Sequence, residues 1–248
     1  MNTFMRISIQ MLFCFMLLAI LPKSYGQLFK GEVIIGGNLS QMEGDRVHGY
    51  RKIGFCGGLG IQFPFRFNPE NPQKPWSVSM EILFNQRGAK QKNYNYNPAD
   101  TSIEPATKYK FKYLLKNNYV CLPFMLHYTD KEIYSIGMGL SYNRLVSSKE
   151  IEFDVEQTYD SVPTFKPYDL TFVVDARCRV WQQLKVGFRF EYSITPIRTR
   201  AFSSSTFYYE EVRKQYNNSL SLYLVYVFNE KRKNVDKDKE PRKKVYYY

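Results

Sequence analysis

Strict two-residue alternation constrains this chain more than any other feature. Leu184–Ile194 reads LKVGFRFEYSI, with Leu184, Val186, Phe188, Phe190, Tyr192 and Ile194 in one register and Lys185, Gly187, Arg189, Glu191 and Ser193 in the other. Successive side chains of a β-strand point to opposite faces, so this stretch is a strand with one aromatic face and one charged face. The same period recurs at 31–41, 53–66, 76–87, 112–128, 132–147, 168–182 and 218–228, which with 184–197 makes eight strands.

The connections narrow the architecture. Four are long and polar, at 42–52, 88–111, 148–167 and 198–217. The three between them are shorter: NPENPQKP (68–75), TDK (129–131) and a single residue at Gln183. A sandwich has no reason to sort its loops by end. An up-and-down transmembrane barrel does, with tight turns on the periplasmic side and long loops outside the cell.

The faces then decide what is inside. Glu81, Arg87, Asp175, Arg177, Arg179, Lys185, Arg189 and Glu191 share one face of their strands, and Trp76, Phe84, Tyr134, Tyr142, Phe188, Phe190, Tyr192, Tyr226 and Phe228 the other. An Arg at bilayer mid-depth costs roughly 2–4 kcal/mol, so the charged face is expected to line the lumen and the aromatic face to meet lipid. Eight strands enclose a lumen just wide enough for side chains to fill, where the two signs can neutralise one another. Strands 168–182 and 184–197 are expected to bring Arg177 and Arg179 near Arg189 and Lys185, and Asp175 near Arg189 or Glu191. Arginines outnumber acids there, so Glu81 is expected to contribute from across the lumen. The fold class is thus all-β, an eight-stranded antiparallel up-and-down transmembrane β-barrel.

Composition agrees. The chain carries 21 Tyr and 19 Phe, yet its mean hydropathy is only −0.43, too polar for a helical membrane protein. The N-terminus reads as a cleaved signal peptide over 1–26. Arg6 precedes the 16-residue apolar run ISIQMLFCFMLLAILP, and Ser24 and Gly26 supply the small residues before Gln27. That run is short for a spanning helix. Phe13 argues against a lipid-modified Cys14. The barrel is assigned to 27–228 and a basic, disordered periplasmic tail to 229–248, which holds eight Lys/Arg against four Asp/Glu. The net charge of +12 accompanies no basic helix, and no nucleic-acid partner is expected. Cys56, Cys121 and Cys178 lie within strands as packing residues, without metal-ligand spacing, and neither metal nor cofactor is expected.

Several stretches together resemble a known family. MEILFNQRGAK (80–90) is similar to the third-strand signature of the PorT-type outer-membrane β-barrel proteins of Bacteroidetes, with Glu81 at its lumenal Glu. NNYVCLPFMLHY (117–128) resembles the fourth strand, YDLTFVVDARCRVWQQLKVGFRFEYSITPIR (168–198) the sixth and seventh, and QYNNSLSLYLVYVF (215–228) the closing strand. Two features depart from the pattern. Cys121 stands where the fourth strand usually carries a Glu, and 20 residues follow Phe228, where many members end. The resemblance implies an outer-membrane location in a Gram-negative bacterium, with insertion by the barrel-assembly machinery. It offers an accessory role in type IX secretion and gliding as one alternative.

Function divides into three classes. A non-enzymatic barrel would act through its extracellular loops or through partners: outer-membrane lipid, and a periplasmic or envelope protein docked on the tail. An outer-membrane acyltransferase or esterase would need a nucleophile and base at one mouth. His48 with Ser40, Glu43 and Asp45 is the only such cluster, and His127 belongs to the opposite end. A soluble lipocalin-like binder would need an apolar lumen. The charged inner face favours the first class.

Overall fold

A computed structural model describes residues 29–45, 47, 49–65, 75–92, 111–157, 165–203 and 210–230. The signal-peptide segment, His48 and residues 231–248 of the tail lie outside them. Among the described residues eleven strands form in chain order: β1 (Lys30–Glu43), β2 (Lys52–Phe65), β3 (Trp76–Arg87), β4 (Lys90–Lys92), β5 (Phe111–Asp130), β6 (Tyr134–Glu152), β7 (Val155–Glu156), β8 (Tyr168–Trp181), β9 (Leu184–Ser193), β10 (Arg198–Ser203) and β11 (Glu210–Phe228). The eight long ones correspond to the eight alternating stretches. Each pairs antiparallel with its neighbours in sequence, and β1 pairs with β11 from Gly31↔Phe228 to Glu43↔Tyr216. The sheet closes on itself and leaves no edge along its length, as a barrel in hydrocarbon requires.

Alternation becomes an inside and an outside. Along β8, Asp169, Thr171, Val173, Asp175 and Arg177 are buried, while Leu170, Phe172, Val174, Ala176, Cys178 and Val180 are not. Along β6, Tyr134, Ile136, Met138, Leu140 and Tyr142 are exposed, while Ser135, Gly137, Ser141 and Asn143 are buried. Small inner residues make room for large ones opposite. A Cβ on Gly187 would collide with the Tyr223 ring, and one on Gly137 with the His127 ring.

The ends differ from the expected strand limits. At the termini side the β5–β6 turn is tight. Lys131 and Glu132 both have positive φ, and their mirror-image geometry suits the right-handed twist of the hairpin. At the loop side the ladders run further than expected. β5 and β6 continue to the pair Tyr113↔Glu152, and β7 folds back on β6. β11 begins at Glu210 and pairs with β10. The seventh strand, expected to reach 197, stops at Ser193. Pro196 has no N–H to continue a ladder, and after it Ile197 N–H bonds to the Gln215 carbonyl. A small second core gathers at this end, built from Met42, Val47, Ala89, Tyr113, Leu115, Phe165 and Ile197.

Candidate functional site

The inner wall carries two ionic knots. In the first, Arg177 bonds through Nε to Asp175 (2.6 Å), through Nη1 to Glu32 (2.8 Å) and through Nη2 to Glu81 (2.6 Å). Arg189 joins it, with Nε 3.1 Å from Asp175 and Nη1 2.8 Å from Glu81. The Tyr223 hydroxyl donates to Asp175, and its ring lies 5.0 Å from the Arg189 guanidinium carbon. These side chains come from β1, β3, β8, β9 and β11, so the knot spans the lumen. In the second, Arg87 Nη2 lies 2.9 Å from Glu191 and Nη1 3.6 Å from Asp169. Asn85 and Ser219 donate to Glu191, and Ser193 and Asn217 donate to Asp169. Planar guanidiniums with several carboxylates each are the arrangement in which buried charge is best satisfied.

The sequence-expected residues therefore divide. Glu81, Arg87, Asp175, Arg177, Arg189 and Glu191 meet inside these knots. Lys185 and Arg179 do not. Asp175 faces Arg189, Arg177 faces Gly187, and Arg179 faces Lys185 across the β8–β9 ladder, which sets the last two at the termini-side mouth. The expected surplus of arginine is corrected as well. Glu32 and Asp169 bring the buried carboxylates of the knots to five, against three arginines. Glu32 was hidden by the apolar run around it, and Asp169 stood in view in β8.

A third carboxylate site closes the termini-side mouth. Glu230, just past β11, receives Lys30 Nζ at 2.6 Å, Lys185 Nζ at 3.4 Å and Arg179 Nη2 at 2.9 Å, and its own side chain is 5% exposed. Burial alone would raise its pKa. Lys185, Lys30 and Arg179 overcome that and hold it down to about 2. Asn229, in left-handed conformation, bonds to the Phe29 carbonyl. The first two residues of the expected disordered tail are thus tied to the barrel.

At the loop side Arg198 bridges Glu150 (2.6 Å) and Gln215 (2.7 Å), and its guanidinium carbon lies 4.1 Å from the Phe165 ring centroid. Tyr113 also donates to Glu150. Asp45 is buried beside them with one carboxylate oxygen accepting from Val47 N–H and the other without a hydrogen-bond partner among the described residues. Burial pushes its pKa up to about 7, against the pull of backbone amides and Arg198. Its expected catalytic neighbours are separately engaged. Ser40 donates to the Lys52 carbonyl, and Glu43 accepts from Tyr192.

His127 has neighbours that its sequence position concealed. Its Nε2 is 2.8 Å from Ser79 Oγ, and its Nδ1 is 4.0 Å from Asp175. The residue types match a hydrolytic triad, but the geometry does not. The second distance exceeds a hydrogen bond, Asp175 is held by two arginines, and Ser79 is 1% exposed.

On the outer surface Phe84, Tyr134, Tyr142, Phe188, Tyr226 and Phe228 are exposed and Trp76, Phe190 and Tyr192 half-buried. Trp76 packs edge-on against Tyr128 and Tyr226 against Phe228 near the termini side. Tyr192 stacks on Tyr216 near the loop side. Cys56, Cys121 and Cys178 are free thiols, the first two buried.

The family described as outer membrane protein beta-barrel domain matches residues 30–198. No curated protein matches the chain. Among solved structures, the attachment invasion locus protein Ail of Yersinia pestis is similar at 13% identity and a TM-score of 0.43, over 82% of this chain and 100% of Ail. A major outer membrane protein from Thermus thermophilus is similar at 13% identity and 0.41, over 82% and 100%. Neisserial surface protein A is similar at 10% identity and 0.40, over 81% and 97%.

Proposed function

Because the chain belongs to the outer membrane protein beta-barrel domain family, we propose that it is a non-enzymatic barrel of the outer membrane. Its own side chains fill the lumen, and it acts through its loop-side end or through protein partners. The observation that carries this reading is Arg177, which joins its strand neighbour Asp175 to Glu32 and Glu81 of two other strands across the lumen. A solute would have to break that knot to pass. The experiment is conductance in planar bilayers together with gel mobility. The folded protein should shift in mobility on boiling and give no porin-sized channel; a stable channel would overturn the closed-lumen reading.

In this reading the aromatic outer face meets lipid, the long loops are extracellular and the termini periplasmic. Epitope tags in 93–110 and after 230 should be accessible on intact cells in the first case only. The loose, shielded Ser79–His127–Asp175 geometry supports the non-catalytic reading. The narrower reading places the chain in the PorT-type branch of Bacteroidetes, with a type IX secretion and gliding role as the alternative. It rests on the strand signatures at 80–90, 117–128 and 168–198, and deletion with assay of secreted cargo tests it. The remainder of the tail, 231–248, is proposed to engage a periplasmic or envelope partner, and the barrel-assembly machinery to insert the chain.

A further inference from the structure

Three cations converge at the termini-side mouth from three strands: Lys30 at the start of β1, Arg179 near the end of β8 and Lys185 at the start of β9. Within the described residues their shared carboxylate belongs to Glu230, outside every strand. Of the three, Arg179 has side-chain bonds independent of that carboxylate. Arg179 is fixed by backbone carbonyls, with Nε donating to Glu132 and Nη1 to Gln182 at 2.7 and 2.5 Å. The β8–β9 ladder sets Lys185 opposite it. Glu230 hangs on one left-handed residue, Asn229, beyond the closing strand.

We propose that Lys30, Arg179 and Lys185 form an oxyanion-binding site for a phosphate group, in which the Glu230 carboxylate is a tethered occupant that an external anion exchanges with. The chemistry fits. A guanidinium and two ammoniums offer more donors than one carboxylate uses, and phosphate presents more acceptor oxygens. A carboxylate held on the same chain competes at high effective concentration, so the native protein binds external anions weakly. Apparent affinity falls by the fraction of molecules in which Glu230 has left the site.

The test is phosphate binding to the full chain folded in a maltoside detergent, followed by 31P NMR titration with inorganic phosphate. Glu230→Gln keeps the side-chain shape and removes the competing charge. It should bind phosphate at least about tenfold more tightly than the native protein, the factor expected where the occupied state exceeds nine-tenths of molecules. Adding Lys185→Gln to that variant should remove the gain. If Glu230→Gln binds no better than the native chain, or the double variant binds equally well, the site does not exist. Should Glu230→Gln fail to fold, refolding yield in phosphate against chloride at matched ionic strength decides: rescue by phosphate alone supports the site, and no rescue overturns it. Competition with short-chain phosphatidic acid separates the sources. A stronger competitor than inorganic phosphate assigns a lipid headgroup, and an equal or weaker one a soluble anion.

Discussion

Replacing Arg177 with Met should be the most damaging single change in the lumen, and its cost can be followed residue by residue. Arg177 bonds to Asp175, Glu32 and Glu81. After its loss Arg189 still holds Asp175 and Glu81. Glu32 is left alone, because Arg177 is its ion-pair partner among the described residues and its Oε1 already lacks a hydrogen bond. One uncompensated buried carboxylate costs about 3–5 kcal/mol. With a urea dependence of about 2 kcal/mol per molar, the unfolding midpoint should fall by roughly 1.5–2.5 M. Adding Glu32→Gln removes the stranded charge and should restore about 1–3 kcal/mol, the usual size of a coupling between contacting residues. The assay is equilibrium unfolding in lipid vesicles, followed by tryptophan fluorescence and by the heat-dependent gel shift. One molar salt should leave the loss in place, because buried pairs are poorly screened. A midpoint change below about 0.5 M, or no recovery with Glu32→Gln, would refute the account of Arg177 as the lattice hub.

Other outcomes follow from the same geometry. Phe188→Arg puts a charge on the exposed outer face and should destabilise by roughly 2–4 kcal/mol in vesicles, whereas Thr199→Arg on the exposed loop-side hairpin should be nearly silent. Asp45→Asn should stabilise in a pH-dependent way. The folded carboxyl, pushed up to about 7 from 3.8, keeps its proton where the unfolded one has lost it, so native stability falls as pH rises through that window. The variant's advantage should be absent near pH 4 and full above pH 7, with about 4 kcal/mol as its upper bound; an advantage that does not vary with pH would remove burial as the cause. Truncation after Glu230 should leave the unfolding midpoint unchanged. Truncation after Phe228 deletes the carboxylate over Lys30, Arg179 and Lys185 and should lower it; equal midpoints for the two truncations would show that Glu230 does not stabilise the mouth.

Faces were legible in the sequence because alternation has a period of two and so does the strand. Asp169 through Cys178 divide inward and outward as read. Loop sorting was legible too, since four long connections fall on one side of an up-and-down closure. The extensions at that end were less visible, though they left a trace. Ile151, Phe153 and Val155 alternate with Glu150, Glu152, Asp154 and Glu156, which marks a continuing hairpin within a stretch that otherwise reads as polar loop. Its turn carries positive φ at Phe153 and Asp154, where a bulky aromatic gives no turn signal. Glu230 was beyond reach for a different reason. A lone acid at the head of a basic tail reads as solvated, and only closure of β1 on β11 brings Lys30 beside it.

What alternation cannot reveal is register. Sliding β8 by two residues along β6 keeps every inward residue inward and every aromatic outward, so hydrophobic patterning does not distinguish the two pairings. The ionic knots do. Arg177 meets Asp175, Glu32 and Glu81 together only with Arg177 opposite Ser135 and Asp175 opposite Gly137. A two-residue slip would carry the guanidinium one pleat along the wall, away from two of its three carboxylates, and would draw Asp175 away from Gly137, where the His127 ring fills the space. An apolar filling of equal volume could match the lattice in stability, but it would leave such slips close in energy. The charged interior therefore selects one closed pairing among several with identical faces. That is why Asp175 beside Arg189, with Glu81 reaching them from across the lumen, could be read from the sequence, while Glu32 and Asp169 as further partners had to come from the fold.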